Sequence, residues 1–377
     1  MITYGARAQI HLQAIQSNLA HISRELEGTD VCIVVKADAY GHGVENVLPL
    51  VMEAGFHIVG IANNSEAERV RAAGFTGRLI RVRAASPAEV AAVLGLGVEE
   101  WVGGFFHARA LSELAVGEGA SIPVHIALNS AGLSRECLDL GAVGGREELR
   151  ALFSLTGLNI RGVCTHFPIE ATEDTRRSAA QFERESKIAL AELGTDRSQG
   201  VQLHCATSFA AFSVPESRRD MVRIGAAVYG DTSAAVSWQR SAMRLVAPVS
   251  SINLYPAGNT VGYGRTHALE GDTVIATVPI GYGDGVPRAV GGRGIALVRG
   301  KRVPIVEQLA MNSLAIDVTN VPGVRPGDEV VLYGSQGADT ITSAVFEEHT
   351  QMIAAAAYAS WGRVLPREVI PTPGYAS

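Results

Sequence analysis

Residues 30–43 read DVCIVVKADAYGHG, an apolar, β-branched run that ends on Lys36 and then passes Tyr40 into a glycine, a histidine and a glycine. An ammonium at the end of a buried strand is costly unless something compensates for its lost hydration. The same texture recurs downstream. HIVGIA (57–62), RLIRVR (78–83), VEEWVGG (98–104), IPVHIAL (122–128), IRGVCTHF (160–167), VQLHCATS (201–208) and MVRIGAAVYG (221–230) are all short strand-like runs. Segments with helical spacing separate them, such as SPAEVAAVLGLG (86–97) and RSAAQFERESKIALAELG (177–194), and the apolar residues of 12–26 predict a first amphipathic helix. Eight strands alternating with helices over about 200 residues imply parallel pairing and fit a (β/α)8 TIM-type barrel better than an open doubly wound sheet. No GxGxxG turn follows the first strand, which also argues against the open sheet.

Barrels gather functional groups at the carboxyl ends of their strands. Lys36 and Tyr40 then follow the first strand and Arg81 and Arg83 end the third, while Asn129 follows the fifth. His166 ends the sixth, Ser208 follows the seventh and Arg223 lies on the eighth, so all are expected at one mouth. Beyond about residue 235 short strands punctuated by glycine and proline take over, as in GDTVIATVPIGYGDG (271–285). The expected division is an α/β barrel over 1–235 and a mainly-β domain over 236–377, with the boundary in GDTSAAVSWQRS (230–241).

The 377 residues carry a formal net charge of −6 and no basic run, which argues against nucleic acid or an anionic membrane surface and for a small-molecule substrate. Cys32, Cys137, Cys164 and Cys205 show no CxxC and no metal-ligand spacing, so neither a metal site nor a disulfide framework is expected. The start, MITYGARAQIHL, has no basic segment leading into an apolar one, and no later run approaches a membrane span; the expected compartment is the cytoplasm.

A partly desolvated lysine has a depressed pKa, which suits it to form a Schiff base. Barrel loops after the seventh and eighth strands often hold a phosphate, and here they carry Ser208 and the small residues of RIGAAVYG (223–230). A Schiff-base lysine beside a phosphate cradle suggests pyridoxal phosphate.

At these residues the sequence resembles the pyridoxal phosphate-dependent alanine racemase family. The motif VVKADAYGHG (34–43), THF at His166, MVRIGAAVYG at Arg223, VGYGRT at Tyr263, PIGYGDG at Tyr282 and AMNSLAIDVT at Met311 fall in family order across both halves. The resemblance implies that Lys36 binds the cofactor and is one proton-transferring base, with Tyr263 of the partner subunit the opposing one. It further implies an obligate head-to-tail homodimer. Arg223 would face the pyridine nitrogen, Tyr40, Ser208 and the backbone of Gly225 and Ala226 would hold the phosphate, and His166 would support the ring and the tyrosine base. Tyr358 is the expected additional phosphate contact. Arg135, Asn129, Tyr282 and Met311 are the expected substrate-binding residues.

Where ordinary alanine racemases carry a lysine and an arginine, the stretch HIALNSAGLSREC (125–137) has Ala127 and Ser134, and Met311 is followed by Asn312 instead of an aspartate. Arg81, Arg83, Ala127, Asn129, Arg135, Pro168 and Asn312 resemble the broad-spectrum amino-acid racemase branch of that family. Glu136 departs from it. Two expectations follow: a small anion such as chloride held by Arg81, Arg83 and Arg135, and a site open to longer side chains, with Glu136 or Glu170 favouring cationic ones such as lysine or arginine. The alternatives are a dedicated alanine racemase and a non-catalytic pyridoxal phosphate-binding homeostasis protein. The second would end near residue 235, and the β domain with VGYGRT argues against it. Basic amino-acid decarboxylases share a barrel-plus-β layout, but their glycine-triplet phosphate motif and C-terminal cysteine acid are missing.

Overall fold

The computed structural model describes residues 5–234, 236–265, 267–306 and 308–371; Ala235, at the expected boundary, and the remaining residues lie outside the described set. β1 (Arg7–His11) leads into the expected helix, Leu12–Glu25, which buries Ile15, Leu19 and Ile22 on one face. Eight strands follow: β2 (Asp30–Val34), β3 (Ile58–Ile61), β4 (Arg78–Arg81), β5 (Val98–Val102), β6 (Ile122–Ala127), β7 (Leu158–Cys164), β8 (Gln202–His204) and β9 (Met221–Ile224). They pair side by side and all parallel, in the order β8-β7-β6-β5-β4-β3-β2-β9. The seam between β8 and β9 is drawn together where Asp220 N–H donates to Leu203 O and Arg223 N–H donates to Ala206 O, both at 3.0 Å. Each of the eight runs read from the sequence supplies one strand of this barrel.

The second half contributes β10 (Met243–Pro248), β11 (Ser251–Tyr255), β12 (Thr260–Val261), β13 (His267–Ala268), β14 (Thr273–Val278), β15 (Ile295–Val298), β16 (Lys301–Pro304), β17 (Leu314–Asp317), β18 (Glu329–Gln336), β19 (Asp339–Ile341) and β20 (Arg367–Ile370). Its main sheet runs β16-β15-β18-β10-β1-β20, so the amino-terminal strand lies between strands of the distant half. Ala8 stands opposite Leu245 on one side and Arg367 on the other. The sequence division at residue 235 has no signal for this exchange, because β1 is too short to show which sheet it joins.

Two helices of the second half, Ser343–Thr350 and Ala354–Val364, complete the connection. Gly41 lies so close to the second that a Cβ there would meet Tyr358 O at 1.9 Å. Side chains from both helices and the link between them reach the mouth of the barrel.

Candidate active site

Lys36 stands at the carboxyl end of β2, where the backbone turns in an unusual way. Ala37, Asp38, Ala39 and Tyr40 all have φ between 53° and 56°, a left-handed turn made of four non-glycine residues. Each such residue costs roughly 1–2 kcal/mol from the contact between Cβ and carbonyl oxygen, so the turn needs holding. Glu66 does part of this, accepting from Ala37 N–H (2.6 Å) and Ala62 N–H (2.7 Å). Asp38 accepts from Val44 N–H (2.9 Å), Arg69 (2.6 Å) and Arg367 (2.6 Å), which ties the turn to β20. Beyond it, His42 donates from Nδ1 to the Ala39 and Tyr40 carbonyls, and both His42 and Tyr40 stack on Tyr229.

The turn opens onto a cavity of about 770 Å³ at the barrel mouth, lined by Lys36, Tyr40, Arg135, His166, Ser208 and Arg223, with Gly225 and Ala226 beside them. Eight of the thirteen expected site residues are therefore brought together. Burial, then the charges of Arg135 and Arg223, lower the Lys36 pKa below its ordinary value, while Glu66 pulls the other way. His166 lies between two guanidinium groups, 3.4 Å from Arg135 and 3.5 Å from Arg223. Burial and those charges push its pKa down to about 2, so the ring is neutral.

Arg223 is buried and held through both of its Nη groups. One Nη donates to His204 Nδ1 (2.6 Å) and the other to Thr165 O (2.8 Å), and the guanidinium carbon lies 5.9 Å from the Trp101 ring centre. At the opposite end of the cavity Ser208 Oγ accepts from Gly225 N–H (3.2 Å) and Ala227 N–H (3.3 Å). A Cβ on residue 225 would come within 2.6 Å of the Tyr40 hydroxyl, so glycine keeps this cradle open.

Five expected residues stand elsewhere. Tyr263 and Met311 are 66% and 56% exposed, and with Tyr282 they lie outside the cavity of their own chain. Asn129 donates to Asp139 Oδ2 (2.9 Å) and leaves its Oδ1 buried without a partner. The expectation for Tyr358 needs correcting: its helix turns it inward, its hydroxyl meets that of Tyr333, and it does not line the cavity. The expected arginine cluster also differs. Arg81 is clamped by Glu100 (2.8 Å) and Asn64 (2.9 Å), and Arg83 pairs with Glu89 (2.5 Å), although Arg81 Nη1 is buried with no hydrogen-bond partner among the described residues. Glu136 is tied to Ala84 N–H outside the cavity, whereas Glu170 lines it.

The sequence reading missed Trp101, Asp231, Ser233 and Glu347, which also line the cavity. Asp231 and Ser233 follow directly on the motif around Arg223 and were legible only as a domain boundary. Glu347 and Glu170 both have pKa values raised, by burial first and then by neighbouring carboxylates including Asp231, so the three form one acidic wall.

Fold and site together define a class: a parallel barrel with an added β domain, whose mouth presents a half-buried lysine in one cavity with a buried guanidinium and a hydroxyl-and-glycine cradle. Residues 10–233 match the family model for the alanine racemase N-terminal domain and residues 242–369 that for the alanine racemase C-terminal domain. The chain is 42% identical to a broad specificity amino-acid racemase of Aeromonas hydrophila (96% of this chain, 89% of that one). It is 38% identical to a lysine racemase of Proteus mirabilis, with the same coverage. Among solved structures, the alanine racemase of a D-cycloserine-producing Streptomyces lavendulae superposes with a TM-score of 0.89 at 27% identity, covering 99% of this chain and 98% of that one. The chain belongs to the alanine racemase family.

Proposed function

We propose that the chain is a broad-specificity amino-acid racemase, an isomerase that interconverts L- and D-forms with pyridoxal phosphate as its cofactor. The observation that carries this reading is the placement of Lys36 in one cavity with Arg223, His166 and the Tyr40–Ser208–Gly225 cradle. These residues fit the cofactor: a lysine able to lose its proton, a donor-only guanidinium for the ring nitrogen, and an open cradle, with the Ala226 backbone at its edge, for a phosphate. When bound, pyridoxal phosphate supplies an electron sink that acidifies the α-proton of an attached amino acid.

The remaining work falls to this chain's own groups. Lys36 Nζ, lowered in pKa by its surroundings, takes or returns a proton on one face. The opposite face needs a second group, and Tyr263 of the partner subunit fits that role because in its own chain Tyr263 is exposed and outside the cavity lining. This makes the working unit a homodimer, with Tyr282 and Met311 of the partner subunit facing the substrate. His166, neutral between two donor-only guanidinium groups, can accept from only one of them, because the ring nitrogen that carries the proton faces a group with no acceptor. Arg135, beside His166 in the cavity, is placed for the substrate carboxylate.

The wall of Glu170, Glu347 and Asp231 favours side chains that include cationic ones. Arg81 Nη1, a buried donor without a partner among the described residues, is the group that a bound chloride would satisfy; soaking crystals in bromide should give an anomalous peak beside it. The cytoplasm is the proposed compartment, on composition; among the described residues no helix is long and apolar enough to cross a membrane. Chiral chromatography of the holoenzyme with a panel of L- and D-amino acids tests the main reading. Racemisation of several, lysine and arginine among them, is expected, and activity confined to alanine would replace it with a dedicated alanine racemase.

A further inference from the structure

The interior of a (β/α)8 barrel is ordinarily filled by branched apolar side chains. Here a polar chain passes through it. Arg223 Nη1 donates to His204 Nδ1 (2.6 Å), His204 Nε2 meets His125 Nδ1 (2.8 Å), and His125 Nε2 meets Glu99 Oε2 (2.7 Å). Glu99 is clamped from its other side by Arg78 (2.7 and 2.8 Å), which reaches Gln202 (2.5 Å) and through it Asp30 (2.6 Å). Arg78, Gln202 and Asp30 open β4, β8 and β2, so the chain connects the base of the barrel with its functional mouth.

Room has been made for it. The β6–β7 register slips by one residue at His125, with Val124 opposite Ile160 and His125 opposite Gly162. A Cβ on residue 162 would lie 2.2 Å from His125 Nδ1. Such a slip re-aims a side chain, and only glycine leaves space for the ring it re-aims.

The two ends leave one proton arrangement. A guanidinium only donates and a carboxylate only accepts. His204 Nδ1 must therefore carry a lone pair, its Nε2–H donates to His125 Nδ1, and His125 Nε2–H donates to Glu99. Both rings are neutral, in agreement with the lowering of their pKa values by burial and by Arg223 and Arg78, while Arg78 and His125 hold Glu99 at about 2 against its burial. Reversing any bond would set His204 Nδ1–H against the Arg223 donor and push the guanidinium from its seat.

We propose that Glu99 is a positioning residue, acting through His125 and His204 to fix the orientation in which Arg223 presents its guanidinium to the cavity. This rests on the reading of Arg223 as the partner of the cofactor's ring nitrogen. Glu99 itself does not line the cavity.

Neutron diffraction from perdeuterated holoenzyme tests the proton pattern without any variant. Deuterium is expected on Nε2 of both His204 and His125; deuterium on Nδ1 of either would overturn the proposal. Glu99→Gln and Arg78→Gln then separate positioning from stability. Arg78→Gln leaves the Glu99 carboxylate in place and should keep the wild-type ¹⁵N shifts of the His204 ring. Glu99→Gln weakens the accepting end and should mix the two neutral forms of His204. It should also raise the ratio of side transamination to racemisation about tenfold, since a displaced Arg223 lets the ring nitrogen take its own proton. Equal behaviour of the two variants, or unchanged shifts in Glu99→Gln, would reduce Glu99 to the ion-pair partner of Arg78. The histidine readouts hold whatever the substrate is, so failure of the racemase reading and failure of this proposal are distinguishable; if Glu99→Gln does not fold, the neutron map decides.

Discussion

Gly225 shows how one missing side chain can define a site. Its φ is negative, at −122°, so alanine needs no left-handed backbone there, and the nearest obstacle is the Tyr40 hydroxyl 2.6 Å from the new Cβ, with Tyr40 held by its stack on Tyr229. Gly225→Ala should leave the far-ultraviolet circular dichroism unchanged and weaken cofactor retention about tenfold, roughly the loss of one charge-assisted hydrogen bond; dialysis followed by absorbance would measure it. His42 offers a second test. An unfolded imidazole takes a proton near its ordinary value, whereas burial holds His42 down to about 4 in the fold. Between those values the unfolded state binds more protons, so this residue's contribution to stability falls as pH falls, by about 1.4 kcal/mol per unit. Urea titrations at pH 6.5 and 5 should show a shallower pH dependence for His42→Gln than for the wild type, and equal slopes would mean that the folded ring already carries its proton.

The turn after β2 is the element that the sequence concealed. Ala37, Asp38, Ala39 and Tyr40 are ordinary residues for a right-handed turn, and nothing in hydropathy or spacing records the sign of φ. The positive values are imposed by Glu66, Asp38, Arg69 and Arg367, which lie on segments separated by as many as 329 positions. Substituting Ala37, whose side chain is exposed, therefore inverts a common rule. Ala37→Gly removes roughly 1–2 kcal/mol of strain and adds roughly 0.5–1 kcal/mol of unfolded-state entropy. The denaturation midpoint should stay level or rise, where the same change in a right-handed helix lowers it. The eight barrel strands, by contrast, were legible because each is a short run bounded by helical spacing, and Lys36, Tyr40, His166, Ser208 and Arg223 reach the mouth for that reason. Arg81, Arg83 and Asn129, expected there too, turn to Glu100, Glu89 and Asp139 instead. The orientation of Tyr358 was not legible, since the side of a helix that faces inward depends on what packs against it.

At the scale of the molecule, two pieces of the proposed site stand far apart in one chain, which makes complementation a direct test. Lys36→Ala and Tyr263→Phe homodimers should each be nearly inactive. Mixed after partial denaturation and reassembled at random, they should recover about a quarter of wild-type activity, because about half the dimers are hybrids and each hybrid restores one of its two sites. No recovery, with hybrids verified by mass spectrometry, would place both bases in the same chain.

The position of β1 adds a constraint in time. It leaves the ribosome before any strand of the barrel, yet its neighbours are β10 and β20, and Ile10 pairs with Met243 on one side and Val369 on the other. At typical elongation rates β20 emerges roughly 20–70 s later. The nascent chain can assemble its barrel in that interval, but β1 stays a bare edge open to wrong partners until β10 and then β20 have emerged.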